Sequence, residues 1–190
     1  MQAFDLVVIG SGPAGEGAAM MAAKNHLRVA LVERQVEVGG GCTHWGTIPS
    51  KALRHAVKTL NELRLNPLLR DFRATHPPQF PQILASADKV VSAQVASRRR
   101  FYERNRVPVF EGDARFVDPQ VVEIQRSGQG SLRLRAQHFV IATGSRPYHP
   151  PELDFSHPRV RDSDSILRYD QHPFSVTIYG AGVIGCEYAS

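Results

Sequence analysis

Cysteine is scarce in this chain: only two of its 190 residues are cysteines, Cys42 and Cys186. They lie far apart in sequence, which is not the pattern of a small secreted domain held together by disulfides, so we expect both thiols to be reduced. No apolar stretch approaches the roughly 20 residues that a membrane-spanning helix needs, and the first residues do not resemble a signal peptide. These absences favour a soluble protein of the cytoplasm.

Nucleic-acid and metal sites also lack support in the sequence. The net charge is +5, but the one dense basic run is Arg98 to Arg100, and we expect these arginines to lie on the solvated face of a helix, with no nucleic-acid partner. His44 lies close to Cys42, yet no further ligands follow at zinc spacing, so we expect no metal site.

The chain begins with the pattern strand, glycine-rich turn, helix, strand. Leu6 to Ile9 is an apolar strand run, Pro13 to about Asn25 is rich in the helix formers Ala and Met, and Arg28 to Val32 is a second apolar strand run. Between the first strand and the helix stands the sequence Gly-Ser-Gly-Pro-Ala-Gly, residues 10 to 15. This is a βαβ unit with a dinucleotide-binding motif.

Each glycine of this motif has a physical role in binding a pyrophosphate. Gly10 permits the tight turn, Gly12 lets the backbone approach the ligand, and Gly15 allows close packing of the helix. The helix N-terminus offers N–H donors and a partial positive charge to the phosphates. Glu33, 18 residues after Gly15, can accept hydrogen bonds from ribose hydroxyls at the end of the second strand.

The remainder of the chain predicts two amphipathic helices, from Pro49 to Leu65 and from Ile83 to about Asn105. We expect a small antiparallel meander next, and then a buried strand at residues 138 to 142. The short strands of the predicted meander are Val109–Phe110, Ala114–Val117, Val121–Ile124 and Leu132–Leu134.

A second copy of the strand-to-glycine pattern follows a connector rich in Pro, His and Asp. Val176 to Tyr179 predicts a strand, and the glycines after it are Gly180, Gly182 and Gly185. We therefore predict an α/β, Rossmann-like FAD-binding domain over residues 1–150, a connector over 151–173, and the truncated start of an NAD(P)-binding domain over 174–190.

These motifs, in this order, resemble the flavoprotein pyridine nucleotide–disulfide oxidoreductases. The similarity rests on the opening glycine motif, on residues 39 to 51 with the sequence GGGCTHWGTIPSK, on Ala-Thr-Gly at 142 to 144, and on the second glycine motif. Within that family the segments at 40–55, 144–150 and 162–167 are similar to the soluble transhydrogenases. Because those enzymes are much longer, the resemblance is to an N-terminal portion.

The resemblance implies FAD extended over the first βαβ unit, with a wrapping segment from Glu33 to Cys42 around it and Thr43 contributing to phosphate binding. It also implies an ion pair between Lys51 and Glu187 near the flavin ring. For Cys42 two roles stay open: a thiolate contact with the flavin, or packing as a small residue. The residues that the motifs and the resemblance together assign to nucleotide binding are Gly10, Gly12, Pro13, Ala14, Gly15, Glu33, Arg34, Gln35, Val36, Glu37, Val38, Gly39, Gly40, Gly41, Cys42, Thr43, Lys51, Ala114, Thr143, Gly144, Gly180, Gly182 and Gly185.

At one position the sequence differs from the disulfide reductases, and this difference restricts the reaction that the resemblance implies. Where those enzymes carry the second cysteine of a redox pair, this chain has Thr47, whose hydroxyl has no accessible redox couple. The resemblance then implies Si-specific NAD(P) transhydrogenation, in which NADPH and NAD are the substrates, FAD relays the hydride, and the full-length protein is a homo-oligomer. Two alternatives stay open: a relative of dihydrolipoamide dehydrogenase that uses Cys42 differently, and a flavin-binding fragment without catalysis.

Overall fold

The computed structural model describes residues 1–68, 78–126, 128, 130–171 and 173–190. The chain forms two compact units. The first unit comprises Met1–Thr43 and Ala93–Ser145, and the second comprises His44–Ser92 and Arg146–Ser190. The domain boundaries given above, at residues 150 and 173, stay a prediction.

The first unit contains a six-stranded sheet with the strand order β3-β2-β1-β6-β5-β4. The four strands β3, β2, β1 and β6 pair in parallel, and β6, β5 and β4 continue the same sheet as an antiparallel meander. The strands are β1 (Gln2–Ile9), β2 (Val29–Glu33), β3 (Val109–Glu111), β4 (Asp113–Asp118), β5 (Val121–Arg126) and β6 (Gly130–Ile141). This confirms the predicted α/β, Rossmann-like fold class.

The core of the first unit lies on both faces of this sheet because successive strand residues point to opposite faces. Val8 and Leu31 belong to a buried cluster with Ala19 of the first helix, and Val7 belongs to a second cluster with Ile124 of the meander. The central strands therefore read as continuous apolar runs, as strands buried on both faces do.

The described residues form five α-helices. Helix α1 (Pro13–Lys24) lies between β1 and β2, and α2 (Gly40–His44) follows β2. The others are α3 (Thr47–Leu65), α4 (Phe80–Arg104) and α5 (Val183–Ala189), with a 3-10 turn at Ile166–Arg168. The first part of α4 belongs to the second unit and its last part, from Ala93, to the first unit. The predicted bounds of α1, α3 and α4 agree with these to within a few residues.

Four of the predicted strands are wrong in detail. Val109–Phe110 belongs to β3, which pairs in parallel with β2 and is not part of the meander. The runs at 132–134 and 138–142 are one strand, β6, whose first half pairs with β5 and whose second half pairs with β1. Residues 176–179 form no strand, since a strand requires a hydrogen-bonded neighbour and none is present beside them in the described chain.

The described residues include no helix that is both long enough and apolar enough to cross a membrane.

Candidate functional site

The first glycine motif forms a turn that only glycine fits at two of its positions. Gly10 has φ of +103°, and a Cβ placed on it would lie 2.3 Å from the carbonyl oxygen of Ala142 at the end of β6. A Cβ on Gly15 would lie 1.9 Å from the carbonyl oxygen of Gly10. The turn is therefore closed by direct backbone packing, with α1 set tightly against the end of β1.

The N-terminus of α1 has no side-chain cap. Its N-cap is Gly12, which has no side chain to make a capping hydrogen bond. The Glu16 N–H donates to the Gly12 carbonyl at 2.8 Å, Pro13 has no N–H, and the N–H groups of Ala14 and Gly15 have no acceptor within the helix. An uncapped first turn of this kind is an anion site in nucleotide-binding proteins.

The wrapping segment, residues 33–42, returns to this turn at Gly39 and Gly40. A Cβ on Gly40, whose φ is +60°, would lie 2.7 Å from the Gly12 Cα, so the two backbones are too close for a side chain. In the wrapping segment Arg34 to Glu37 are exposed and Val38 and Gly39 are buried, as is Thr43 directly after it. The structure thus brings the predicted phosphate residues of the two segments together.

Glu33 is buried at the end of β2 with 7% of its surface exposed. Its Oε2 accepts hydrogen bonds from Ser11 N at 2.9 Å and Ser11 Oγ at 2.6 Å, and its Oε1 accepts one from Gln35 N at 2.9 Å. The carboxylate therefore already receives three donors from the chain itself. Ser11 was not among the predicted site residues, and the only sequence signal for it is a small polar residue between two glycines.

The exposed part of the wrapping segment is held by α4. Arg99 contacts the Glu37 carboxylate at 2.9 Å and donates to the Val36 carbonyl at 3.1 Å. One residue earlier, Arg98 Nε lies 3.0 Å from Glu16 Oε2, and the Arg98 side chain is only 14% exposed. The prediction that the arginine run is solvated is therefore wrong for Arg98, because its side chain turns inward to pair with α1.

The other predicted FAD contacts of the first unit lie at strand ends and edges. Thr143 and Gly144 follow β6 and are exposed, with φ of +75° at Gly144. Ala114 lies within β4, paired with Ile124, and Gly112 just before this strand has φ of +144°. Their contacts with a cofactor stay predictions.

In the second unit, the second glycine motif repeats the local geometry of the first. Gly180 has φ of +126°, and a Cβ on Gly185 would lie 2.0 Å from the Gly180 carbonyl oxygen. Gly182 is the N-cap of α5 with φ −73° and ψ 176°, close to the −66° and 177° of Gly12. The predicted role of these glycines in nucleotide binding stays a prediction.

The ion pair predicted between Lys51 and Glu187 is present in the second unit. Lys51 Nζ lies 2.8 Å from Glu187 Oε1, and the two side chains are 62% and 20% exposed. Next to it, Arg54 Nε donates to Ser190 Oγ at 3.0 Å. These contacts join the start of α3 to α5, although 136 residues separate Lys51 from Glu187 in sequence.

Two half-buried polar groups of the second unit are Tyr188 of α5 and Asp162. Burial, with the negative charges of Glu187 and Asp164, raises the pKa of Tyr188 to about 12. Burial disfavours the charge of Asp162, but hydrogen bonds from Ser165 and His149 outweigh it and lower the pKa of Asp162 to about 2. His149 Nε2 lies 2.7 Å from Asp162 Oδ2.

Neither cysteine is in a disulfide: Cys42 is half-buried and Cys186 is exposed. The described part of the chain contains no group of three or more His, Cys, Asp or Glu residues that could hold a metal ion.

The residues of the first unit fit FAD, the cofactor that the resemblance implies. The uncapped turn of α1 offers donors for a pyrophosphate, and a Cβ on Gly40 would fill the space beside Gly12. In addition, Thr43 is wholly buried, and its Oγ1 has no hydrogen-bond partner among the described residues. An orphaned hydroxyl beside a glycine cradle is consistent with a site that a polar ligand completes.

Comparison with known sequences shows which family the chain matches. Residues 4–190 match the model of the pyridine nucleotide-disulphide oxidoreductase family. The chain is 56% identical to the soluble pyridine nucleotide transhydrogenases of Erwinia tasmaniensis and Serratia proteamaculans, and 55% identical to that of Pseudomonas fluorescens. Each alignment covers 98% of this chain, and the chain spans about 40% of the length of these relatives.

Comparison with solved structures gives the same fold. The chain is similar to the HOCl-induced flavoprotein disulfide reductase RclA from Escherichia coli, with a TM-score of 0.83 for its Cu(II) complex and 0.79 for another structure of it. The sequence identity is 27%, and the alignment with the Cu(II) complex covers 100% of this chain and 40% of that one.

Proposed function

The chain belongs to the pyridine nucleotide-disulphide oxidoreductase family, and we propose that it supplies the FAD-binding part of an NAD(P) transhydrogenase. The single observation that carries this proposal is the cradle of the first unit. There the uncapped N-terminus of α1 at Gly12 faces the backbone of Gly40 and lies beside the buried carboxylate of Glu33.

Several residues would hold FAD in this cradle. The N–H groups of Ala14 and Gly15 would bind the pyrophosphate, and the remaining acceptor capacity of Glu33 would bind a ribose hydroxyl. Residues 34–43 would cover the cofactor, with Gly39 and Gly40 allowing the close approach. When bound, FAD supplies the two-electron chemistry by which a hydride passes between pyridine nucleotides.

The pair of Lys51 and Glu187 would tune this chemistry. Glu187 holds the Lys51 ammonium at 2.8 Å, and in the family that the chain resembles a lysine at this position lies beside the flavin ring. A fixed positive charge there stabilises negative charge that develops on the ring. Cys42, half-buried, would contact the flavin as a thiolate or pack as a small apolar residue.

The choice between transhydrogenase and disulfide reductase depends on Thr47. A disulfide reductase needs two neighbouring thiols, and Thr47 removes one of them. The identity of 56% to transhydrogenases, against 27% to a disulfide reductase, also favours the former. We infer that NADPH donates and NAD accepts, and that the second glycine motif, with Gly180, Gly182 and Gly185, contributes to their site.

The assembly and location follow from the same proposal. Since the relatives are more than twice as long as this chain, we propose that a further part completes the nicotinamide site and makes the protein a homo-oligomer. Their names describe them as soluble, which supports the cytoplasm as the location.

The experiment is a pair of assays on a protein extended to the length of the relatives. One assay follows NADPH-dependent reduction of a spectrally distinct NAD analogue, and the other follows reduction of lipoamide and glutathione disulfide. We expect rapid nucleotide reduction and no disulfide reduction. Disulfide reduction without nucleotide reduction would overturn the proposal in favour of the reductase alternative, and loss of both activities in a flavin-loaded protein would favour the non-catalytic alternative.

A further inference from the structure

We propose that Ser11 is a positioning residue for the cofactor, because its hydroxyl ties the wrapping segment to the carboxylate of Glu33, which would bind a ribose. This inference rests on the proposed function, in that the ligand whose binding it serves is FAD.

Ser11 occupies the centre of a buried hydrogen-bond bridge. Only 1% of its surface is exposed. Its Oγ donates to Glu33 Oε2 at 2.6 Å and accepts from the Gly39 N–H at 2.9 Å, while its own N–H donates to the same Glu33 oxygen at 2.9 Å. The hydroxyl thus uses its single proton toward Glu33 and a lone pair toward Gly39.

The bridge connects three separate parts of the first unit. Ser11 belongs to the turn between β1 and α1, Glu33 ends β2, and Gly39 precedes α2. Gly40, the residue after Gly39, lies with its backbone against Gly12. Gly12 is the residue after Ser11 in the same turn. A hydroxyl at position 11 therefore fixes how closely residues 39 and 40 approach the phosphate-binding turn.

The same bridge occupies most of the acceptor positions of the Glu33 carboxylate. An ionised carboxylate offers about four acceptor positions, and three are used by Ser11 N, Ser11 Oγ and Gln35 N. These donors stabilise the buried charge and leave about one position for a ribose hydroxyl. Removing the Ser11 hydroxyl leaves the Gly39 N–H without its acceptor and removes one donor from the buried carboxylate of Glu33. Both changes take a hydrogen bond from a buried polar group, which costs more free energy than the loss of an exposed hydrogen bond.

The experiment compares Ser11→Ala with Ser86→Ala in the 190-residue chain. Ser86 is a matched control because its Oγ also makes a hydrogen bond, to the Ile83 carbonyl at 2.6 Å, but Ser86 is an exposed residue of α4. Two readouts are taken: hydrogen exchange at individual amides without FAD, and the dissociation constant for added FAD. Ser11→Cys, which keeps the shape but donates weakly, supplies the same comparison should the alanine variant not fold.

For Ser11→Ala we expect exchange at the Gly39 amide to accelerate and FAD affinity to fall, each about tenfold. Exchange in the central strands should not change, which separates the loss of this bridge from general destabilisation. Ser86→Ala should match the wild type in both readouts.

Two contrary results have different meanings. If the wild-type chain binds FAD and Ser11→Ala binds it equally well with unchanged Gly39 exchange, the role of Ser11 is overturned and the proposed function stands. If the wild-type chain binds no FAD, the proposed function fails, and with it any role of Ser11 toward the cofactor, even where Gly39 exchange accelerates.

Discussion

Two glycines in the first turns of α1 differ in what a side chain would meet. A Cβ on Gly15 would lie 1.9 Å from the Gly10 carbonyl oxygen and 3.3 Å from a methyl group of Val8. A Cβ on Gly17, two residues later in the same helix, would have nothing within 4 Å. Gly15 is thus required by close packing, whereas Gly17 only weakens the helix.

Alanine substitutions at these two positions should therefore have opposite effects. Gly15→Ala should lower the free energy of unfolding by about 3 kcal/mol or more, as overpacking against backbone does, and abolish FAD binding. Gly17→Ala should raise it by about 0.5–1 kcal/mol through helix propensity alone, with FAD affinity unchanged. Urea unfolding and cofactor titration measure both, and equal stabilities for the two variants would contradict the packing described at Gly15.

At the scale of residues, the sequence predicts the site residues whose role follows from their amino-acid type and their spacing along the chain. Gly10, Gly15 and Glu33 were predicted because a tight turn, close packing and a carboxylate at a strand end each restrict the residue type. Ser11 was missed because spacing does not show where a hydroxyl will donate. Its importance depends on Glu33 and Gly39, which lie 22 and 28 residues away.

At the scale of elements, helices with a clear apolar period were predicted closely and strand pairings less so. Periodicity reports which residues are buried but not which neighbour a strand pairs with. β6 was divided in two because its 12 residues change partner, from antiparallel β5 to parallel β1. β3 was placed in the meander because three residues give no sign of parallel pairing with β2.

Helix α4 shows the same limit for charged residues. Three consecutive arginines on an amphipathic helix predict a solvated face. Residues one position apart point in different directions around a helix, however, and Arg98 and Arg99 reach Glu16 and Glu37 respectively. These two acids lie in segments that the cofactor would contact, so α4 supports the site from outside.

At the scale of the whole molecule, we expect the free energy of unfolding to depend on pH through the carboxylate of Asp162 in the second unit. Its carboxylate accepts from Ser165 N at 2.7 Å and contacts His149 at 2.7 Å, with 15% of its side chain exposed. The pKa of Asp162 falls from 3.8 to about 2. Because the folded pKa is the lower one, this carboxylate stabilises the fold above about pH 4, and the contribution is lost as pH falls through about 2.

Asp162→Asn should consequently lower the free energy of unfolding by about 1–2 kcal/mol at pH 7. The difference from wild type should shrink between about pH 4 and pH 2, where the wild-type carboxylate becomes protonated. Asp170→Asn, an exposed residue of the same unit, is the control and should change little. A difference that stays constant across this pH range would show that the charge of Asp162 does not contribute.

The glycine motifs repeat across the chain, and this repeat was visible in the sequence. Gly12 and Gly182 are N-caps with nearly the same dihedral angles, as the repeated pattern predicts. Residues 176–179, predicted as a strand, pair with no strand among the described residues. Local turn geometry is thus set by nearby residues, and sheet formation is set by distant ones.

The most direct test of the central claim, that the first unit binds FAD, is the visible absorption spectrum of the purified 190-residue chain. After the spectrum is recorded, heat releases any ligand for identification by mass spectrometry. The predicted result is a flavin absorption band with FAD in the released fraction. If the purified protein is colourless, the predicted result is that a bound-flavin band appears when FAD is added. A folded chain that remains colourless and does not bind added FAD would contradict the claim.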